Sequence, residues 1–168
     1  FTNSAYELMS QQEQRKNHMQ YGIAISLYTL DTCPDNNELF FTAVTQINHG
    51  GPSVISDPNQ STMLAKLNLK AGKLSCVLSD YATALSLLEH GISYLGDDKW
   101  TSQYELTRIL QTGAAKIACV LYKNAAVVSY TNQNIANAQC FDDCLYCEYS
   151  CTRVWYAIYD EILTYNMI

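Results

Sequence analysis

The sequence predicts an all-α fold: stacked antiparallel helix pairs forming a tetratricopeptide-like α-solenoid fragment. Three observations predict it. Apolar side chains recur at three- and four-residue steps through most of the chain. Capping and breaking residues divide those runs into segments of helical length. No segment sustains the period-two alternation of a strand, and Val54-Ile55 is too short to count. The short connections between segments suit antiparallel hairpins.

The elements follow in order. Ser10 caps a first helix running to about Leu30, with Glu13 placed for a capping box. Met19, Ile23, Leu27 and Leu30 give its stripe. The run from Asp31 to Asn37 is a turn, with Pro34 as the breaker. A second helix spans Glu38 to about Asn48, with Leu39, Phe40, Ala43, Val44 and Ile47 on one side. Gly50-Gly51-Pro52 ends it. Asp57-Pro58 opens a third helix striped by Leu64, Leu67, Ala71, Leu74 and Leu78. Ser79-Asp80 leads into a fourth, striped by Tyr81, Leu85, Leu88, Ile92 and Leu95 and closed by Gly96-Asp97-Asp98. A fifth runs from about Thr101 to Tyr122, carrying Leu106, Leu110, Ala114, Ile117 and Leu121, with Asn124 as its stop. A sixth covers about Ala125 to Gln139, and a seventh starts near Asp142.

Composition narrows the function classes. Apolar residues make up 48% of the 168, enough for a core, while charged residues are only 15%. Asn, Gln, Ser and Thr supply the polar surface in their place, a profile opposed to disorder. The net charge of −6 disfavours nucleic acid, which requires a basic stripe. No run approaches the length of a membrane span, and no signal-peptide pattern opens the chain. The chain starts at Phe1 and ends inside an aromatic stretch, so it reads as a piece of something longer. Seven cysteines, an odd number in a helix-rich chain, suit a reducing cytoplasmic setting better than a disulfide scaffold. Asn59-Gln60-Ser61 is a glycosylation triplet with no other sign of secretion beside it.

Helices three and four carry the pattern of a tetratricopeptide pair. Ala71 and Gly72 on one, and Ala84 and Gly91 on the other, are the small residues that a close helix crossing requires. Gly113-Ala114-Ala115 and Ala136 repeat the theme, at a recurrence of about 45 residues against about 34 in the strict repeat. Stacked pairs cannot bury their faces alone, so a cut-out piece exposes apolar surface at its ends.

Four runs carry a family resemblance: Val44 to Gly50, Leu64 to Lys73, Tyr81 to Trp100 with Tyr104-Glu105-Leu106, and Asn137 to Asp143. Together they resemble the helical region that follows the nucleotide-binding module in large predicted AAA/STAND-type signalling ATPases. The resemblance covers about Glu38 to Leu145. It departs from the pattern at Cys144, where a basic residue is usual, and at Lys123 to Ala126, which lacks a Gly-aromatic step. It implies that residues 1–50 are the helical segment after the nucleotide module and that 57–168 form one continuous array, incomplete at both ends. It further implies a non-catalytic role, coupling the nucleotide module to kinase or cyclase outputs or to partner proteins. ATP and Mg would belong to the upstream module. Gly72-Lys73 lacks the earlier glycine and the following Ser or Thr of a P-loop, so this piece should not hydrolyse ATP. The alternative is a free-standing tetratricopeptide-like adaptor that binds a protein partner.

Other constellations could carry chemistry. Cys140, Cys144 and Cys147 have the spacing of an iron–sulfur cluster in radical S-adenosylmethionine enzymes, and with Cys151 they could hold zinc. The same steps also make one stripe of a helix, which is the preferred reading. His18, His49 and His90 lie far apart in the chain, and nothing local brings them together. Asp97-Asp98 and Asp142-Asp143 sit at helix starts, where the helix dipole favours carboxylates. Trp155, Tyr156 and Tyr159 are a possible partner surface, since interfaces favour such side chains. Trp100 and Tyr104 read as packing residues.

Overall fold

Helix starts fall where local side-chain chemistry puts them. Ser10 and Glu13 form a complete capping box ahead of α1, Gln11–Thr32. Asn36 caps α2, Asn37–Gly50; Asp57, with Pro58 behind it, caps α3, Pro58–Val77; Asp80 caps α4, Tyr81–Tyr94. The remaining long helices are α5, Tyr104–Val120, and α6, Asn124–Asn137. A 3-10 turn at Pro52–Val54 and a single helical turn at Lys99–Ser102 complete the order. These features belong to a computed structural model that describes residue 6 and residues 8–143, and among those residues there is no strand.

The helices pack as three hairpins, α1 with α2, α3 with α4, and α5 with α6. α4 lies against α5, and α2 touches α3, so the hairpins stack in chain order as a helical-repeat fold. Phe40, Val44, Ile47, Leu64, Leu85, Leu88, Leu110 and Ala114 form the spine of one continuous core.

Two turns repeat to the hydrogen bond. Ser79 and Tyr122, 43 positions apart, both take left-handed backbone with φ of 61° and 55°. Each sits in a full Schellman motif: Ser79 and Asp80 donate to Cys76 and Ser75, as Tyr122 and Lys123 donate to Cys119 and Ala118. The recurrence expected near 45 residues is therefore 43 at this turn.

Several expectations need correction. Tyr122, and not Asn124, stops the fifth helix; Asn124 opens α6. The fifth helix is also not continuous from Thr101, because Gln103 breaks it. The buried Thr107 hydroxyl stitches that break by donating toward the Lys99 and Gln103 carbonyls. Leu78 is 60% exposed, since it caps α3 rather than continuing its stripe. Ala136 is exposed and takes no part in a helix crossing. On α1, the buried side is Met19, Gly22, Ser26 and Thr29, while Leu27 and Leu30 face outward.

The reason is a backbone approach that the sequence reading missed. A Cβ on Gly22 would lie 2.6 Å from the Ile47 amide nitrogen and 2.8 Å from the Ala43 carbonyl. A Cβ on Gly50 would lie 2.9 Å from the Arg15 carbonyl. Small residues let α1 lie directly on the α2 backbone. At the α3/α4 crossing, Ala71 and Ala84 are fully buried, and a Cβ on Gly72 would press on the Leu88 side chain at 3.0 Å while keeping an ordinary 3.4 Å from the Ala84 carbonyl. A Cβ on Gly91 would meet Leu110 at 2.9 Å and the Ala65 carbonyl at 3.3 Å.

The seventh expected helix begins with residues 141–143, which are helical; the rest of it lies outside the described residues. So do Cys144, Cys147, Cys151, Trp155, Tyr156 and Tyr159.

Two outcomes follow, both read by urea unfolding. Gly22→Ala meets rigid backbone and destabilises the fold by about 3 kcal/mol, whereas Gly72→Ala stays within about 1 kcal/mol because a side chain can yield and helix propensity improves. Ser79→Gly relieves the left-handed strain and stabilises by about 1 kcal/mol.

Candidate functional site

A concavity lies between the first helices of the second and third hairpins. Its volume is about 830 Å³. Leu69, Gly72 and Cys76 of α3 form one wall, and Ile109, Gly113, Ile117 and Val120 of α5 form the other. Leu88 and Tyr81 of α4 lie beneath. The apolar lining follows from helix periodicity, which gathers apolar side chains on one side of each helix. Thr112 lines the floor at 3% exposure, and its hydroxyl has no hydrogen-bond partner.

The rim is charged and polarised. Lys73 and Lys116 lie toward the C-terminal ends of α3 and α5. Glu105, Arg108, Asp142 and Asp143 lie at the other end. There the Arg108 guanidinium grips Glu105 through two hydrogen bonds, of 3.0 and 2.8 Å, and faces Asp143 at 3.6 Å. Tyr104 donates to Asp143 at 2.5 Å and accepts from the Gln139 amide, tying the end of α6 back to the start of α5. The Tyr104 hydrogen bond holds the Asp143 carboxyl below its ordinary range. Burial, then the bond to Asp143, raises the Tyr104 hydroxyl. The Asp142-Asp143 pair thus closes one end of the groove, with Asp143 in a structural cluster. Burial also pushes the Cys76 thiol up, which keeps it protonated in the wall.

The residues expected to bear chemistry divide sharply. Cys140 is exposed, and the other three cysteines of its expected stripe lie outside the described residues. Among the described residues, Cys33, Cys76 and Cys140 are free thiols, and no three His, Cys, Asp or Glu side chains could hold a metal ion. The histidines, by contrast, do come together. The His18 and His49 rings meet edge to face at 5.2 Å. His90, on α4, lies near enough to His49 to feel its charge. His18 Nδ1 lies 2.7 Å from the Gln46 carboxamide oxygen and Nε2 lies 2.6 Å from the Tyr6 hydroxyl, so both ring nitrogens are hydrogen-bonded. Only tertiary packing makes this convergence, so no local spacing could signal it.

Beside the histidines runs the joint between the first two hairpins. Asn48 and Asn68 exchange two hydrogen bonds, of 2.8 and 3.0 Å, and Asn68 also donates to the Leu64 carbonyl at 3.1 Å. The buried Tyr94 hydroxyl donates to the Ile47 carbonyl at 2.8 Å. Neither Asn68 nor Tyr94 stands out in the sequence; for Asn68 the one signal is a polar residue inside an apolar stripe.

In comparisons with known proteins, no family model, no curated protein and no solved structure matches the chain. The ATPase resemblance rests on the residue runs quoted above.

Burial holds the His90 pKa below its ordinary 6.5, outweighing the opposing pull of Glu89. The folded state therefore binds a proton there less readily than the unfolded chain. This part of the stability is complete above the unfolded value and declines as pH falls below it, levelling off beneath the folded value. Thermal melts between about pH 7.5 and 5 should show that decline, and His90→Gln should flatten it. Asn68→Ala should cost about 2 kcal/mol in urea unfolding, because it leaves the Asn48 amide without its partner.

Proposed function

We propose that this chain is a non-catalytic helical-repeat segment that holds a peptide or partner helix in the groove between α3 and α5. The carrying observation is the groove itself: an apolar floor with charges of opposite sign at its two ends, of a size suited to several side chains. Helical partners seat through apolar anchors in such grooves, and the rim charges then select orientation. The resemblance to signalling ATPases supplies the setting. In that setting the segment couples a nucleotide module to an output domain or a partner protein, and ATP and Mg are handled outside the segment. A cytoplasmic place is part of the reading, and it is supported by the free thiols at Cys33, Cys76 and Cys140. Among the described residues no helix is long and apolar enough to cross a membrane.

Panning random peptides of about 15 residues against the immobilised chain tests the groove. Sequences with apolar anchors should be enriched, and should bind Ile109→Glu at least about tenfold more weakly, since a carboxylate in the wall must be desolvated. Enrichment that is identical on the Ile109→Glu protein would remove the groove from the proposal.

A further inference from the structure

The C-terminal half of α1 carries an exposed apolar face. Tyr21, Leu27, Tyr28 and Leu30 are exposed by 69%, 58%, 56% and 50%. Tyr21, Ala24 and Tyr28 stand at i, i+3 and i+7, one line along the helix, with Leu27 beside them. Not one Asp, Glu, Lys or Arg lies between Lys16 and Asp31. Helices of monomeric proteins rarely carry such a face uncovered. The inversion has a cause already described: Gly22, Ser26 and Thr29 are spent on the approach to α2, so the large apolar side chains point the other way.

We propose that a second copy of this chain covers this face, its α1 lying antiparallel across a two-fold axis beside Ala24. The line is self-complementary in that arrangement. Ala24 sits near the middle of the interval from Tyr21 to Tyr28, so each Tyr21 meets Tyr28 of the other copy. The small Ala24 pair at the axis lets the two helices close. A two-fold contact needs this property, because one patch must serve as both partners. Charge selects the same direction. Lys16 and Asp31 are both exposed, one at each end of the line. The antiparallel pairing sets Lys16 of each copy close to Asp31 of the other, whereas a parallel pairing would set like charges side by side. The uncharged middle also keeps the net charge of −6 on each copy out of the seam. One helix face falls short of a standard interface of about 800 Å² per partner, so the dimer is a micromolar one. It does not involve the α3/α5 groove and does not depend on the groove's function.

Sedimentation velocity from about 2 to 200 µM tests this. The chain should pass from monomer to dimer over that range. Ala24→Glu sets two carboxylates at the axis and should abolish the dimer. At concentrations where the parent chain is monomeric its thermal midpoint should not move, because Ala24 is exposed. Lys16→Glu and Asp31→Lys should each weaken the dimer by about tenfold. The double variant Lys16→Glu/Asp31→Lys should restore it, since the charges are exchanged and still opposed. A monomer at every concentration, a dimer indifferent to Ala24→Glu, or no recovery in the double variant would each overturn the proposal.

Discussion

The stack depends on a few hydrogen bonds at the place where α2 meets α3 and α4. Apolar faces attract without direction, and sliding one hairpin by a turn along the next would cost little buried area. The Asn48–Asn68 exchange removes that freedom. Asn68 has no exposed surface and spends its amide on Asn48 and on Leu64. Displaced by a turn, it would be buried with unmet donors, at a cost of about 1–3 kcal/mol. Tyr94 sets a second point, because its hydroxyl finds the Ile47 carbonyl only in one register. That carbonyl already accepts from Gly51 at the end of α2, so helix termination and hairpin docking share one atom.

The low charge of the chain becomes intelligible at the helix crossings. Buried polarity costs little when a helix satisfies it internally. Thr29 donates to the Ile25 carbonyl and Ser26 to that of Ile23, so both can lie against α2 with no partner there. Small self-satisfied hydroxyls and glycines then permit the close approach that larger apolar residues would prevent. The third hairpin is less complete. Gln111 gives its amide to Gln133, yet its own carbonyl, the Asn134 carbonyl and the Thr112 hydroxyl are buried without partners. Its packing is satisfied to a lesser degree than the joint between the first two hairpins.

Local chemistry made much of this legible. Caps at Ser10, Asp57 and Asp80 depend on neighbours within a turn, and each begins a helix where its side chain allows. The stripes of α2, α3 and α4 supply core residues, because large apolar side chains on these helices face the core. What failed to show has physical causes. The stop after α5 is carried by Tyr122 in left-handed backbone, a conformation for which tyrosine gives no warning. The break at Gln103 is held by Thr107, four residues on. The inward face of α1 is small and partly polar, so a rule that buries the largest apolar residues reads it inside out. The groove was legible only in part: its small residues were seen, but not that α3 and α5 would face across it.

These exceptions share one geometry. A helix packed through its side chains announces its buried face by hydrophobic periodicity. A helix packed through its backbone reverses the signal, because the contact selects for absence of side chain. α1 is of the second kind, and Gly22 shows it most directly, with only 2.6 Å between its missing Cβ and the Ile47 nitrogen. The consequence reaches beyond the hairpin. Large apolar residues excluded from one side must occupy the other, where solvent meets them unless a further surface does. Close backbone packing inside the fold thus creates the apolar exposure outside it, and the two features of α1 have a single cause.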